Sequence, residues 1–414
     1  MAERAQGFSV KLFEDARFQM FVERALATMT GGGAEYGECA VTAARIADGD
    51  DDSWYREWTA TAAMVRGWAE ESDRAGHPVS AREAYLRAAT YLRVSYYPLF
   101  GLPVDPRLTE AARDERDCFA RFAELCDPPL RPVRVPFEGG LLDGYLCPAP
   151  DTAPGRDPRP TVIAVNGYDS DVHEMWWSHA RPAVRRGYHC LLVDGPGQGL
   201  ALVHQGLTMR PDWETVLRAV VDHAVTLPGV DGTRLAVSGW SFGGYLAPRG
   251  VSGEPRVAAL VADPGQWDLL DNIKALLPLP QDLRDRLPDV DPAELDAHLA
   301  PVVEHPVARW KLVQRALWVH GLGSLGEYVV ESGRYRLSDV VDRIACPTLV
   351  AMAEGDQLAG QAEQLYEALR CPKTLVRFSA AEGAAGHCES WNRSRFDQRV
   401  FDWLDEVLAH PHGP

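Results

Sequence analysis

Leu235-Ala236-Val237 runs on to Gly239-Trp240-Ser241-Phe242-Gly243 and then to Gly244-Tyr245-Leu246-Ala247. An apolar strand-like run, a G-x-S-x-G and a helix-compatible stretch follow one another, which is the context that makes this motif a nucleophile elbow. A serine hydroxyl is a weak nucleophile and has to be held in the open, beside a base. A tight strand-to-helix turn does the holding. Glycines two residues either side of Ser241 let neighbouring backbone pass without a Cβ clash. The plain alternative is a chance G-x-S-x-G; the flanking strand and helix, and the partners found downstream, weigh against it.

In this architecture the chain order is nucleophile, acid, histidine. Pro347-Thr348-Leu349-Val350-Ala351-Met352 reads as a buried strand and runs into Ala353-Glu354-Gly355-Asp356. An acid at the carboxyl end of a late strand can orient an imidazole. Asp356 is the choice, with Glu354 as alternate and a surface carboxylate as the plain reading. After the strand Thr374–Phe378 comes a small-residue loop, Glu382-Gly383-Ala384-Ala385-Gly386, and then His387, where a general base belongs. His189, His204, His223, His298, His305 and His320 carry no partner signal and read as ordinary polar or packed histidines; His410 and His412 read as solvated tail residues. Cys388 invites a nucleophile reading, which ranks below Ser241 because Ser241 has the elbow.

An oxyanion hole needs two backbone N–H groups aimed at the developing charge. Phe242 should supply one and Tyr168 the other, from the loop Asn166-Gly167-Tyr168-Asp169-Ser170 that follows the strand Val162–Val165. Asn-Gly is also a turn signal in its own right. Asp194-Gly195-Pro196-Gly197-Gln198-Gly199 follows a strand as a phosphate loop would, but it lacks the Lys-Ser/Thr and the G-x-G-x-x-G spacing, so it reads as a sharp turn near the site.

With 414 residues and 46% apolar content the chain can build one large domain plus a smaller one. The net charge of −17 is spread along the chain, with no basic stripe, which argues against nucleic acid or an anionic membrane as partner. Met1–Gly7 shows no signal-peptide pattern, no apolar run approaches spanning length, and the eight cysteines show no metal-ligand spacing. The expectation is a cytoplasmic protein with reduced thiols, no metal and no cofactor.

Residues 1–130 read as helical. Phe21–Met29 has helical spacing, Asp52-Ser53 can cap a helix holding Trp54, Trp58, Met64 and Trp68, Ser80 can cap another, and Thr109 a last one to about Leu125. A hairpin follows, Val133–Phe137 and Leu141–Leu146 around Glu138-Gly139-Gly140. Strands at Thr161–Val165, Tyr188–Val193, Leu235–Val237, Val257–Ala262, Thr348–Met352 and Leu375–Phe378 alternate with helices, which means βαβ units and a parallel sheet. The expected division is a helical domain over 1–130 and a catalytic domain over 131–414 with a lid-like insertion at about 266–340, since the stretch from Ala262 to Pro347 exceeds a simple crossover. Trp54, Trp58, Trp310 and Trp318 suggest either a hydrophobic ligand or packing.

Together, Asn166–Ser170, Asp194–Gly199, Arg210-Pro211-Asp212-Trp213-Glu214, Gly239–Arg249 and Gly386-His387-Cys388 resemble the 2,6-dihydroxypseudooxynicotine hydrolase group of α/β-hydrolases, which includes fungal enzymes that shorten polyketide pigment precursors. Ser53-Trp54-Tyr55…Trp58 and Gly76-His77…Ser80-Ala81-Arg82-Glu83-Ala84-Tyr85 resemble that group's N-terminal helical cap, so the likeness covers nearly the whole chain. The resemblance implies the α/β-hydrolase fold, a mostly parallel sheet with helices on both faces and a helical cap domain. It implies hydrolysis of a carbon–carbon bond next to a ketone in an aromatic or polyketide-like molecule; some relatives in natural-product pathways cleave esters or expel an acyl group such as acetate. Ser241, Asp356 and His387 match the group's triad. Carbon–carbon-cleaving relatives use an extra carboxylate, for which Asp263, Asp268 and Asp271 are the candidates here, while His173-Glu174 stands where relatives have paired acids. His77 and Tyr85 could face the substrate from the cap or simply pack its helices. The expected partner is a small hydrophobic ketone or ester, and a homodimer through the cap is one arrangement open to the chain. A non-catalytic binding protein on the same scaffold is the rival of another class, and the intact triad speaks against it.

Overall fold

The computed structural model describes residues 10–152, 155 and 157–409; Met1–Gly7, His410 and His412 lie outside them. The chain divides into two compact units, Met1–Leu130 with His305–Arg315, and Arg131–Glu304 with Ala316–Pro414. Residues 305–315, read from the sequence as part of the insertion in the catalytic domain, group with the helical unit instead.

The first unit contains α1 (Ala16–Ala27), α2 (Tyr36–Ala43), α3 (Asp51–Arg74), α4 (Pro78–Ser95) and α5 (Pro106–Glu124). Three of these start earlier than the Ser/Thr signals suggest. Asp50 caps α3, accepting from the amides of Asp52 and Ser53. Helix α4 starts at Pro78, ahead of Ser80, and α5 at Pro106, ahead of Thr109, with Asp105 accepting from the Arg107 amide. Proline at a first helical position has its φ preset and no N–H to leave unsatisfied, so it starts the helix upstream of the next hydroxyl cap.

Of the tryptophans read as either ligand contacts or packing, the three in this unit are core. Trp54 and Trp58 are fully buried and Trp310 is 1% exposed. Phe18 and Trp54 lie 4.5 Å apart, Phe21 and Trp310 4.8 Å. The Trp54 indole N–H donates to the Val94 carbonyl at 2.9 Å and that of Trp310 to the Tyr97 carbonyl at 2.7 Å, so each ring buries its polar edge with a partner. His77 is exposed as the residue before α4, and Tyr85 is a buried residue of that helix beside Arg121.

The second unit is built on an eight-stranded sheet in the order β1-β2-β4-β3-β5-β6-β7-β8. The strands are β1 (Arg131–Phe137), β2 (Gly140–Cys147), β3 (Arg159–Val165), β4 (His189–Val193), β5 (Val230–Trp240), β6 (Val257–Asp263), β7 (Thr348–Ala353) and β8 (Lys373–Phe378). The β1–β2 hairpin pairs antiparallel and docks antiparallel on β4; the other pairings are parallel. Strand β4 is buried along its whole length and β3 nearly so, as their continuous apolar runs require of strands covered on both faces. Helices that bear on the site are α6 (Trp213–Ala224), α7 (Gly243–Val251), α8 (Leu269–Leu276), α9 (Leu325–Ser332) and α10 (Arg393–Ala409). All eight cysteines are free thiols. Among the described residues no helix is long and apolar enough to cross a membrane.

Because Trp54 packs against Phe13, Phe18, Phe21 and Trp58, Trp54→Ala should destabilise the helical unit by about 3–5 kcal/mol. Denaturant unfolding followed by circular dichroism would show this as a lower midpoint; an unchanged midpoint would contradict the assignment of Trp54 to the core.

Candidate active site

Strand β5 ends at Trp240 and α7 begins at Gly243, so the chain reverses within two residues. Ser241 makes that turn at φ 60°, in the left-handed region, at a cost of about 1–3 kcal/mol for a residue with a side chain. Fixed hydrogen bonds hold it there. Its amide donates to the Asp263 carbonyl at 2.8 Å, and its carbonyl accepts from Gln266 Nε2 at 2.6 Å. A Cβ at Gly239 would lie 2.0 Å from the Gly243 carbonyl oxygen, which gives the steric reason for the glycine there.

Ser241, His387 and Asp356 come together from three distant segments. Ser241 Oγ lies 2.9 Å from His387 Nε2, and His387 Nδ1 lies 3.0 and 3.1 Å from the two Asp356 oxygens. With Nδ1 donating to Asp356, Nε2 is left to accept from the serine. The His387 side chain keeps 46% of its surface exposed, whereas that of Asp356 keeps 2%. Asp356 also accepts from the amides of Leu358 (2.9 Å) and Cys388 (3.3 Å). Burial pushes its carboxyl up, but the His387 charge and these hydrogen bonds outweigh it and hold the group below the usual carboxylate range. For His387 burial is the largest single influence and pulls the pKa down, but Asp356, by charge and hydrogen bond, together with Asp169 and Asp263, outweighs it and leaves it above the ordinary 6.5. Glu354, the alternate acid, does other work: its carboxylate accepts from the Ala380 amide and its carbonyl from the Gly386 amide, bracing the histidine loop.

The Asn166–Ser170 loop lies against the elbow. A Cβ at Gly167 would be 2.8 Å from Ser241 Cβ and 3.1 Å from the Phe242 nitrogen, so only glycine lets the two segments approach this closely. Phe242 is the N-cap of α7, where amides have no carbonyl of their own helix to bond. The Asp194–Gly199 turn is the brace of this loop. Asp194 accepts from Asn166 Nδ2 at 3.1 Å, and Gln198 donates from Nε2 to the Asn166 carbonyl at 2.6 Å. The Tyr168 ring stacks on Phe242 with centroids 4.6 Å apart. Its hydroxyl lies 2.8 Å from His320 Nε2 and 3.3 Å from the Tyr328 hydroxyl, and Tyr335 lies 3.2 Å from His320 Nδ1. Burial drops His320 to about 3, so this imidazole is neutral. Nothing local in the sequence marks His320 as more than a packed histidine.

The three candidate extra carboxylates are each engaged or placed as follows. Asp263 is fully buried with its carboxylate on Arg393 at 2.7 Å. Asp268 caps α8 by accepting from the Asp271 amide, and Asp271 is exposed in the first turn of that helix. His173 is buried, its Nδ1 3.6 Å from an Asp171 oxygen. Asp356, His387 and Cys388 bring potential metal-ligand atoms within 4.8 Å of one another. Burial above all, then the acids around it, keeps the Cys388 thiol protonated, which makes it a poor ligand and a poor nucleophile.

Residues 46–290 match a family model described as Esterase FrsA-like. The hydrolase LUC6 of Fusarium sp is 32% identical over 427 residues, covering 96% of this chain and 98% of its own. The 20-hydroxy-prefusarin hydrolase FUS2 of Gibberella moniliformis is 37% identical over 275 residues, 65% of each chain. Among solved structures, a 2,6-dihydroxy-pseudo-oxynicotine hydrolase superposes with a TM-score of 0.73 at 22% identity, covering 93% of this chain and 95% of that one.

His387 should titrate above 6.5 in an NMR pH series, and Asp356→Asn should bring it down. The sign carries over to stability. A raised imidazole pKa adds stability that is full below 6.5 and is lost as pH rises through the folded value. A His387 resonance titrating below 6.5 in the unsubstituted protein would contradict the pairing.

Proposed function

The chain belongs to the FrsA-like esterase family, has the α/β-hydrolase fold and is a hydrolase, and on that premise we propose that Ser241, His387 and Asp356 are its catalytic triad, cleaving a carbon–carbon bond next to a ketone in a small molecule. The observation that carries this reading is the unbroken hydrogen-bonded chain from Ser241 Oγ through His387 to Asp356.

In this reading Ser241 Oγ attacks the ketone carbon as its proton passes to His387 Nε2. Asp356 holds the imidazole in the donating tautomer and stabilises the imidazolium. The alkoxide of the tetrahedral adduct is received by the amides of Phe242 and Tyr168. Collapse breaks the carbon–carbon bond, the leaving carbon takes the proton from His387, and an acyl-serine remains. Water, deprotonated by His387, then releases the acid and restores the serine. The 20-hydroxy-prefusarin named for FUS2 agrees with a small-molecule substrate.

One observation favours a second reading, ester cleavage. Asp263, Asp268 and Asp271 are engaged as an ion pair, a helix cap and an exposed helix residue. An ester needs no extra carboxylate, because an alkoxide leaves more readily than a carbanion.

Ser241→Ala should abolish labelling by a fluorophosphonate and lower kcat by about 10⁴-fold or more. Incubating the protein with β-diketones, acyl-phenols and simple esters in isotopically labelled water separates the chemistries. Hydrolysis places label in the acid product, and elimination leaves it out. Turnover of esters alone would sink the carbon–carbon reading, and a labelled Ser241→Ala would sink the triad.

A further inference from the structure

Behind His387 lies a buried group of charges that the triad does not use. Arg393, the first residue of α10, is 4% exposed in its side chain, Asp263 is 0% and Glu389 is 1%. Arg393 Nη1 donates to Asp263 Oδ2 at 2.7 Å, to the Cys388 carbonyl at 3.0 Å and to Glu389 Oε2 at 3.4 Å. The guanidinium lies over the Phe396 ring at 3.6 Å and the Trp240 ring at 5.9 Å. It therefore touches the residue before the nucleophile, the strand beside it and the loop that carries the histidine.

That loop needs holding. Cys388 and Glu389 follow His387 directly, and both have left-handed backbone, φ 51° and φ 48°. Two adjacent non-glycine residues in this region persist only where their surroundings fix them. Within the loop, the Glu389 amide donates to the Gly386 carbonyl and the Asn392 amide to the Glu389 carbonyl; from outside it, the Cys388 amide is held on Asp356, the Cys388 carbonyl on Arg393, and the Glu389 carboxyl lies beside Arg393. Asp263 closes the circuit, since its carbonyl accepts the Ser241 amide while its carboxylate holds Arg393.

We propose that Arg393, clamped by Asp263, is a positioning residue that sets His387 in register with Ser241 by bridging the elbow and the histidine loop. This rests on the triad reading. Glu389 serves the clamp as a neutral acid: burial first, and then the Asp263 charge, raise its pKa well above the usual range. Two carboxylates sharing one guanidinium then carry no net charge. Asp263 also acts on His387 through space, where Asp356, Asp169 and Asp263 are the charges that raise the imidazole pKa.

The test uses p-nitrophenyl acetate turnover and the rate of fluorophosphonate labelling, both of which report the triad whatever bond the natural substrate offers. Asp263→Asn and Arg393→Gln should lower kcat by roughly 10- to 100-fold with KM within about twofold, the scale of a small misplacement of reacting groups, and should slow labelling in parallel. Arg393→Lys should recover part of the loss. Glu389→Gln, which mimics the neutral acid, should stay close to the unsubstituted protein. Asp263→Asn should also move the acidic limb of the kcat/KM profile to lower pH, which a purely structural role would not do. If Arg393→Gln does not fold, Asp263→Asn and Arg393→Lys decide the matter. Folded variants with unchanged kcat, labelling rate and acidic limb would overturn the positioning role alone. An unsubstituted protein that the fluorophosphonate does not label would overturn the triad reading beneath it.

Discussion

The left-handed backbone of Ser241 is held at both its amide and its carbonyl, the first by Asp263 and the second by Gln266 and the Gly244 amide. Much of the second unit's geometry follows from that turn. It projects the hydroxyl away from the sheet, starts α7 at Gly243 and leaves the Phe242 amide at the open end of the helix. It also demands backbone contacts that no side chain would allow, which is why Gly239 and Gly167 stand where they do. The strain is local but much of the restraint is not, since Asp263 belongs to β6 and Gln266 to the segment after it.

The electrostatics around the turn solve a second problem. The chain carries a net charge of −17, and several buried acids lie around the elbow and the two loops that meet it. In the proposed reaction, ionised carboxylates there would oppose the oxyanion. Two of these buried positions are neutralised. Asp194, under the Asn166–Ser170 loop, is lifted to about 7 by burial and by the neighbouring Asp171, so it carries a proton part of the time. Asp263 is matched by Arg393, and Glu389 keeps its proton. Asp356 alone of this group is held below its usual range, and its charge is spent on His387.

What could be read in the sequence was what local patterns encode. The apolar run before Gly239, the strand ahead of Asp356 and the small-residue loop before His387 are short-range signals, and the eight-stranded sheet contains every strand they suggested. The helix starts in the first unit were misplaced because Pro78 and Pro106 outrank the hydroxyl residues behind them. Burial cannot be read from residue type alone, so Trp54, Trp58 and Trp310 left a ligand role open beside the packing role that aromatics more often have, and packing is what the fold shows. His320 lies 152 residues from the Tyr168 it meets, and Arg393 lies 130 from Asp263. Pairings of that span leave no trace in spacing. Asp194 and Gln198 were visible as a turn, but their work, holding Asn166, needed the neighbouring strand.

The engagement of Asp263, Asp268 and Asp271 elsewhere narrows the chemistry that the proposed triad can carry out. With those carboxylates engaged, His387 is, in this reading, the group that returns the proton taken from Ser241. Asp356 raises the imidazole pKa, which makes the imidazolium a weaker acid than free imidazolium. An alkoxide is basic enough to take that proton without difficulty. A carbanion localised on carbon would be too high in energy to form, whereas one delocalised onto oxygen as an enolate, or into an electron-rich ring, would form and be protonated. On the carbon–carbon reading the substrate must therefore supply its own electron sink on the leaving side, so β-diketones and acyl-phenols fit this site and simple ketones do not. The demand falls on the substrate because, in this reading, Asp263 is paired with Arg393 and Asp356 with His387.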